Sequence, residues 1–243
     1  HYCECDRDNT MSEVLLSESE RISFILPDGS LRTVSKGTTL YTVTDSIGSS
    51  VAKNAVYAEI DGSAMDLDET VQQGGQLNII TLFDEEALMP VRRSCLLLLA
   101  LAVKQLYPTV RLVGGLTTDN GFHYDFASDV PFTTDDLSLI EERMGQLIAE
   151  NPPLLKEQVT QHQAKEYFLR AGEDFKSLQV EDLPVNNTLR ICHIQDSVDI
   201  IDGPVVPDTR FLKYFRLLKV SGAYWQGNAG NVQLQRITGT AWA

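Results

Sequence analysis

Residues 84–108, DEEALMPVRRSCLLLLALAVKQLYP, carry the most decisive pattern in the chain. Asp84, Glu85 and Glu86 place carboxylates where a helix N-terminus favours negative charge. Apolar side chains follow at Leu88, Val91, Cys95, Leu98, Leu99 and Ala102, and Pro108 ends the pattern just past Tyr107. Beyond Ser94 they cover most of the circumference, which predicts a helix buried on every side. The longest strongly apolar run, Cys95 to Val103, is far shorter than the ~20 residues a membrane-spanning helix needs. The stretch therefore reads as the central helix of a globular domain.

Upstream, the signals are those of short strands. Arg21 to Ile25 alternates, Pro27-Asp28-Gly29-Ser30 is a turn, and Leu31 to Val34 completes a hairpin. Thr39 to Ile47 predicts a short helix, with Gly48 expected to stop it in the left-handed conformation. Tyr57 to Ile60, Asp61-Gly62 and the run to Leu67 suggest a second hairpin, and Gln76 to Leu82 a closing strand. This order predicts a small mixed sheet crossed by one helix, a β-grasp-like unit.

Downstream, Val110 to Val113 and Phe122 to Phe126 read as paired strands. Thr133-Thr134-Asp135-Asp136 caps a helix to about Glu150, closed by Asn151-Pro152-Pro153. A further helix is expected from about Thr160 to Arg170, stopping at Gly172, and β-rich segments run on from Leu189. No internal repeat appears. The expected class is α+β: residues 1–18 as a leader or tag, with Met11 as a natural start, a β-grasp domain over 19–83, and a larger α+β domain over 84–243.

Hydrophobic residues at 43% and charged residues at 22% exclude bulk disorder. The charge is 20 − 34 = −14, which argues against a non-specific nucleic-acid binder while leaving room for a local basic patch. Arg210, Lys213, Arg216 and Lys219 recur at every third position, as either a solvated face or a contact to phosphates. Arg92, Arg93 and Lys104 would extend such a patch, and Tyr224-Trp225 could stack a base or pack in a core beside Gly222. Cys95 and Cys192 lie in apolar segments and read as buried thiols, Cys3 and Cys5 in a polar leader. His1, His123, His162 and His193 offer no metal-binding constellation. With no signal sequence at the start, the cytoplasm is the default location.

Ile22 to Leu82, with Leu26-Pro27-Asp28-Gly29-Ser30, resembles a TGS domain, the β-grasp module that opens threonyl-tRNA synthetases. The helix Val91-Arg92-Arg93-Ser94-Cys95-Leu96-Leu97-Leu98-Leu99-Ala100 to Pro108 resembles the first helix of that family's editing domain. Matches continue at Asn120-Gly121-Phe122-His123-Tyr124-Asp125-Phe126, at Phe132-Thr133 and at Asp202-Gly203-Pro204. The most specific are Leu217-Leu218-Lys219-Val220-Ser221-Gly222-Ala223-Tyr224-Trp225 and Leu234-Gln235-Arg236-Ile237-Thr238-Gly239-Thr240-Ala241-Trp242. The resemblance covers residues 20–243. It implies a module that contacts tRNA(Thr) and, in the family, hydrolyses seryl-tRNA(Thr) made in error by the catalytic core. ATP, magnesium and zinc belong by the same resemblance to that core, whose motifs are not found here, so no cofactor, metal or membrane is expected for this segment.

The family's editing site pairs a His-x-x-x-His on the first helix with a Cys-x-x-x-His on a later loop. Here those four positions hold Arg93, Leu97, Ile201 and Val205. A guanidinium stays protonated, and three alkyl side chains have no lone pair for a metal or a proton. The resemblance therefore implies lost or weakened hydrolysis and a pocket filled with core. Arg93 would then need a carboxylate, with Asp199 and Asp202 the natural partners. Tyr124, Lys176 and Asp199 match retained pocket positions, with core packing for Tyr124 and surface charge for the other two as the plain alternatives. Three readings stay open: a tRNA-contacting appendage, a weak deacylase, or a freestanding module derived from the synthetase.

Overall fold

The computed structural model describes residues 20–243. The leader, Met11, Cys3 and Cys5 lie outside the described residues. The chain divides between Thr81 and Leu82 into two compact units, beside the boundary at 83/84 expected from sequence.

The first unit is a five-stranded mixed sheet in the order β2-β1-β5-β3-β4. Its strands are β1 (Arg21–Ile25), β2 (Leu31–Ser35), β3 (Ala55–Ile60), β4 (Ser63–Asp66) and β5 (Gly75–Thr81). β1 and β5 pair in parallel and the other neighbours are antiparallel. Ile22 and Phe24 point inward while Arg21, Ser23 and Ile25 face water, the period-two pattern of a strand with one buried face. Helix α1 (Leu40–Ile47) adds Leu40 and Val43 to that core, and the Thr39 hydroxyl caps it by accepting from Thr42 N. Gly48 does not take the expected left-handed turn. Its φ of 170° is extended, and it doubles as the entry to a second short helix, α2 (Ser49–Asn54), that the sequence reading lacked.

The second unit is built round α3 (Leu88–Leu106), entered through a 3-10 turn at Glu85–Ala87. Every residue of α3 from Pro90 to Val103 is buried, as the absence of a polar stripe requires. The helix packs against two antiparallel sheets. One has the order β11-β12-β7-β6, from β6 (Arg111–Thr117), β7 (Phe122–Ala127), β11 (Tyr214–Tyr224) and β12 (Gln233–Trp242). The other has the order β10-β9-β8, from β8 (Leu155–Thr160), β9 (Thr188–Ile194) and β10 (Ser197–Ile201). Helix α4 (Thr134–Glu150) opens with a reciprocal capping box between Thr133 and Asp136 and closes at Asn151, which takes φ 49°. Helix α5 (Gln161–Arg170) is capped by Thr160, and α6 (Asp174–Glu181) follows directly.

Candidate functional site

Helix α3 aims Arg93 and Leu97 at the loop after β10, which carries Asp202, Gly203 and Pro204. Arg93 is 9% exposed, and its Nε donates to Asp202 Oδ1 at 2.9 Å while Nη1 donates to the Pro204 carbonyl at 2.6 Å. Of the two carboxylates expected from sequence, Asp202 is the partner. Its side chain is 80% exposed, so this ion pair lies at a rim and not in a sealed interior. A Cβ at Gly203 would meet the guanidinium carbon at 2.8 Å, so the arginine is seated where only glycine leaves it room.

Deeper, β7 supplies Tyr124, α6 supplies Lys176 and β10 supplies Asp199. Tyr124 is 0% exposed, Lys176 2% and Asp199 5%, so the plain reading of Lys176 and Asp199 as surface charges is overturned. The Tyr124 hydroxyl donates to Asp199 Oδ2 at 2.5 Å. Lys176 Nζ donates to Asp199 Oδ1, which also accepts from Ile200 N at 2.8 Å. The ammonium lies 5.2 Å from the centroid of the Tyr124 ring, a cation–π contact strengthened by burial. Burial first, and then the Asp199 carboxylate, push the Tyr124 phenol well above its ordinary range. This phenol is a donor at neutral pH and cannot serve as a base. Gly115 on β6 allows the close approach, since a Cβ there would meet Leu96 and the Tyr124 ring at 2.6 Å.

The three alkyl positions are packed in the core, and a cleft adjoins one of them, Leu97. Leu97, Ile201 and Val205 are buried at 3%, 4% and 1% exposure, yet a cleft of about 230 Å³ remains beside them. Arg93, Leu96, Leu97, Lys176, Asp199 and Asp202 are among its walls, while Ile201 and Val205 lie behind the lining. Lys176 and Asp199 line this cleft together with the alkyl side chains of Leu96 and Leu97. The donor set at the four positions does not fit a metal ion, and among the described residues no group of three His, Cys, Asp or Glu side chains could hold one. Nor does an imidazole line the cleft. His123 sits on β7 beside Tyr124, and strand alternation turns it to the opposite face; burial lowers its pKa, and its buried Nδ1 has no hydrogen-bond partner. His193 on β9 pairs with Glu157 on β8 at 2.9 Å, and His162 is an exposed helical residue facing Glu166.

The basic candidates separate into two groups. Arg92 is buried, with Nε donating to the Ala241 carbonyl at 3.1 Å and Nη1 to the Asp119 carbonyl at 2.8 Å. Lys104 donates to the carbonyls of Val110 at 2.8 Å and Pro108 at 3.3 Å and pairs with buried Glu173 at 2.8 Å. Both are therefore structural clamps and not surface cations. Glu173, unremarked in the sequence, also accepts from Leu112 N at 2.7 Å and so joins α3, β6 and α6. Arg210, Lys213, Arg216 and Lys219 are all exposed, Arg210 paired with Asp208 and Arg216 with Glu141.

Residues 22–81 match the TGS domain family, which accounts for the five-stranded first unit and defines the chain as a TGS-domain protein. Over 222 residues, 91% of the chain, it is 43% identical to a threonine–tRNA ligase of Paracidovorax citrulli, and 41% identical over the same share to one of Psychrobacter arcticus. The sequence thus belongs with the N-terminal region of threonyl-tRNA synthetases. It spans about a third of the length of these relatives, 35% of the first and 34% of the second. No helix among the described residues is long and apolar enough to cross a membrane.

Proposed function

We propose that the chain is the TGS and editing-like module of a threonyl-tRNA synthetase, working in cytoplasmic translation. In this reading it helps bind tRNA(Thr) beside a catalytic core of the kind its relatives carry, and hydrolysis of seryl-tRNA(Thr) is lost or impaired. The observation that carries the second half is the content of the cleft. Arg93, Leu97, Ile201 and Val205 supply neither a base nor a ligand, and Tyr124, Lys176 and Asp199 satisfy one another. ATP and metal ions belong, on this reading, to the core and need nothing from these residues.

The retained cleft and its Tyr124-Asp199-Lys176 floor support a second reading, a weak residual deacylase that positions the ester and leaves activation of water to the tRNA's own hydroxyl. Hydrolysis of seryl-tRNA(Thr) separates the two. The expected result is a rate at the uncatalysed background, with a gain of about 10²-fold or more when Arg93→His, Leu97→His, Ile201→Cys and Val205→His are combined, the scale of general acid–base catalysis. A parental rate well above background that Tyr124→Phe abolishes would favour the weak deacylase.

A further inference from the structure

The sequence leaves Tyr224-Trp225 either to stack a base or to pack in a core, and the structure gives Trp225 the core role. Trp225 packs edge-on against Phe175 with ring centroids 4.9 Å apart, beside Val113, Ala127 and Leu234. The exposed stack lies at the other end of the same hairpin. Tyr214 and Trp242 are directly opposite in the β11–β12 ladder, with ring planes 7° apart and centroids separated by 6.4 Å. They are 53% and 44% exposed, whereas Ala241 and Leu217 on the other face are buried. Alternation therefore puts Tyr214, Arg216 and Trp242 together on the outward face.

Two contacts hold this face in place. Arg92 grips the Ala241 carbonyl from below, and Glu141 accepts from Leu217 N at 2.9 Å and from Arg216 Nη1 at 3.0 Å. Along the chain from Asp208 to Lys219, Arg210, Lys213, Arg216 and Lys219 are exposed and, with Asp208 and the paired Glu141, these six side chains sum to 4 − 2 = +2 in a chain of −14. Two parallel aromatic rings half in water, with Arg216 on their face and a local positive excess on the same segment, match the chemistry of an unpaired nucleobase and its phosphates.

We propose that Tyr214 and Trp242 form a stacking platform for an unpaired nucleotide of RNA, with Lys213 and Lys219 drawing its phosphates. The platform rests on the tRNA-binding reading and deepens it, since that reading assigns charge but no base contact. Trp242 and Trp225 are the two tryptophans of the chain, so Trp225→Phe leaves Trp242 as the sole indole reporter.

The test titrates the full chain with a transcribed tRNA(Thr) and with a single-stranded RNA oligonucleotide, at two salt concentrations. Binding is expected to quench Trp242 fluorescence. Trp242→Ala should weaken binding about 5- to 150-fold, the range for losing one stacked base, with the salt dependence unchanged and most affinity restored by Trp242→Phe. Lys213→Ala and Lys219→Ala should instead each lower the salt slope by about one. Circular dichroism confirms that each variant is folded. Tight binding that Trp242→Ala leaves untouched overturns the platform and spares the tRNA reading. A parental chain that binds neither RNA overturns both. Loss of binding that Trp242→Phe fails to restore also counts against stacking.

Discussion

The two ion pairs that meet at the cleft are built in opposite ways. Lys176 and Asp199 are both buried, and the carboxylate is shared with a phenol and a backbone N–H. Arg93 and Asp202 join a covered guanidinium to an open carboxylate. The first pair survives only while every member is present, because a buried charge without its partner is costly. The second is adjustable, since water can replace the aspartate. Arg93 lies on the adjustable side together with the apolar wall of Leu96 and Leu97, and Tyr124, Lys176 and Asp199 form the interlocked floor. The contrast teaches that one cleft can join a rim that tolerates substitution to a floor that does not.

The comparison breaks first at Asp199. Asp199→Ala strands the Lys176 ammonium and the Tyr124 hydroxyl, and should lower unfolding free energy in urea by about 3–5 kcal/mol. Arg93→Ala removes one charged hydrogen bond and one to the Pro204 carbonyl, an expected loss of about 1.5–3 kcal/mol. Asp202→Ala should cost no more than about 1 kcal/mol, because its partner can turn to solvent. If Asp202→Ala matched Asp199→Ala, the rim would be as interlocked as the floor.

A titration sharpens the same point. In the unfolded chain a tyrosine loses its proton near pH 10, whereas burial and Asp199 hold the Tyr124 proton to a higher pH in the fold. Above about pH 10 the unfolded state binds fewer protons, so stability should fall as pH rises, and be unaffected by this group below that value. Tyr107, pushed up to about 12 by burial and its bond to Asp136, adds to the same fall. Urea midpoints from pH 9 to 11 should show a shallower decline in Tyr124→Phe than in the parent. Equal slopes would deny the phenol its place in the floor.

What was legible in the sequence follows from how local each signal is. β1 at Arg21–Ile25 and the cap at Thr133 match the reading because alternation and a hydroxyl three residues before an acid are local facts. α6 escaped notice because its N-cap, Glu173, makes no capping bond and spends its carboxylate on Leu112 N and Lys104 instead. β8 escaped because only Val159 of its six residues is buried. At the cleft, the side-chain chemistry of Arg93, Leu97, Ile201 and Val205 could be read residue by residue. The burial of Lys176 and Asp199 could not, because it depends on β7, α6 and β10 meeting. The same limit moved Arg92 from a surface patch to a clamp, and hid the Tyr214–Trp242 stack, whose rings meet only through the β11–β12 pairing, whereas the core role read for Trp225 holds.

The all-round burial of α3 also constrains the order in which the molecule can be made. Part of its cover is distant along the chain: Arg93 reaches Asp202 across 109 residues, and Arg92 reaches Ala241 across 149. At about 5–20 residues per second of synthesis, more than a hundred residues between α3 and β12 correspond to roughly 5–30 s on the ribosome. For that interval β6, β7 and α4 can cover part of the helix, while the sides that β10 and β12 protect stay open. The segment at greatest risk of aggregation in the nascent chain is therefore the one that becomes best protected in the finished fold.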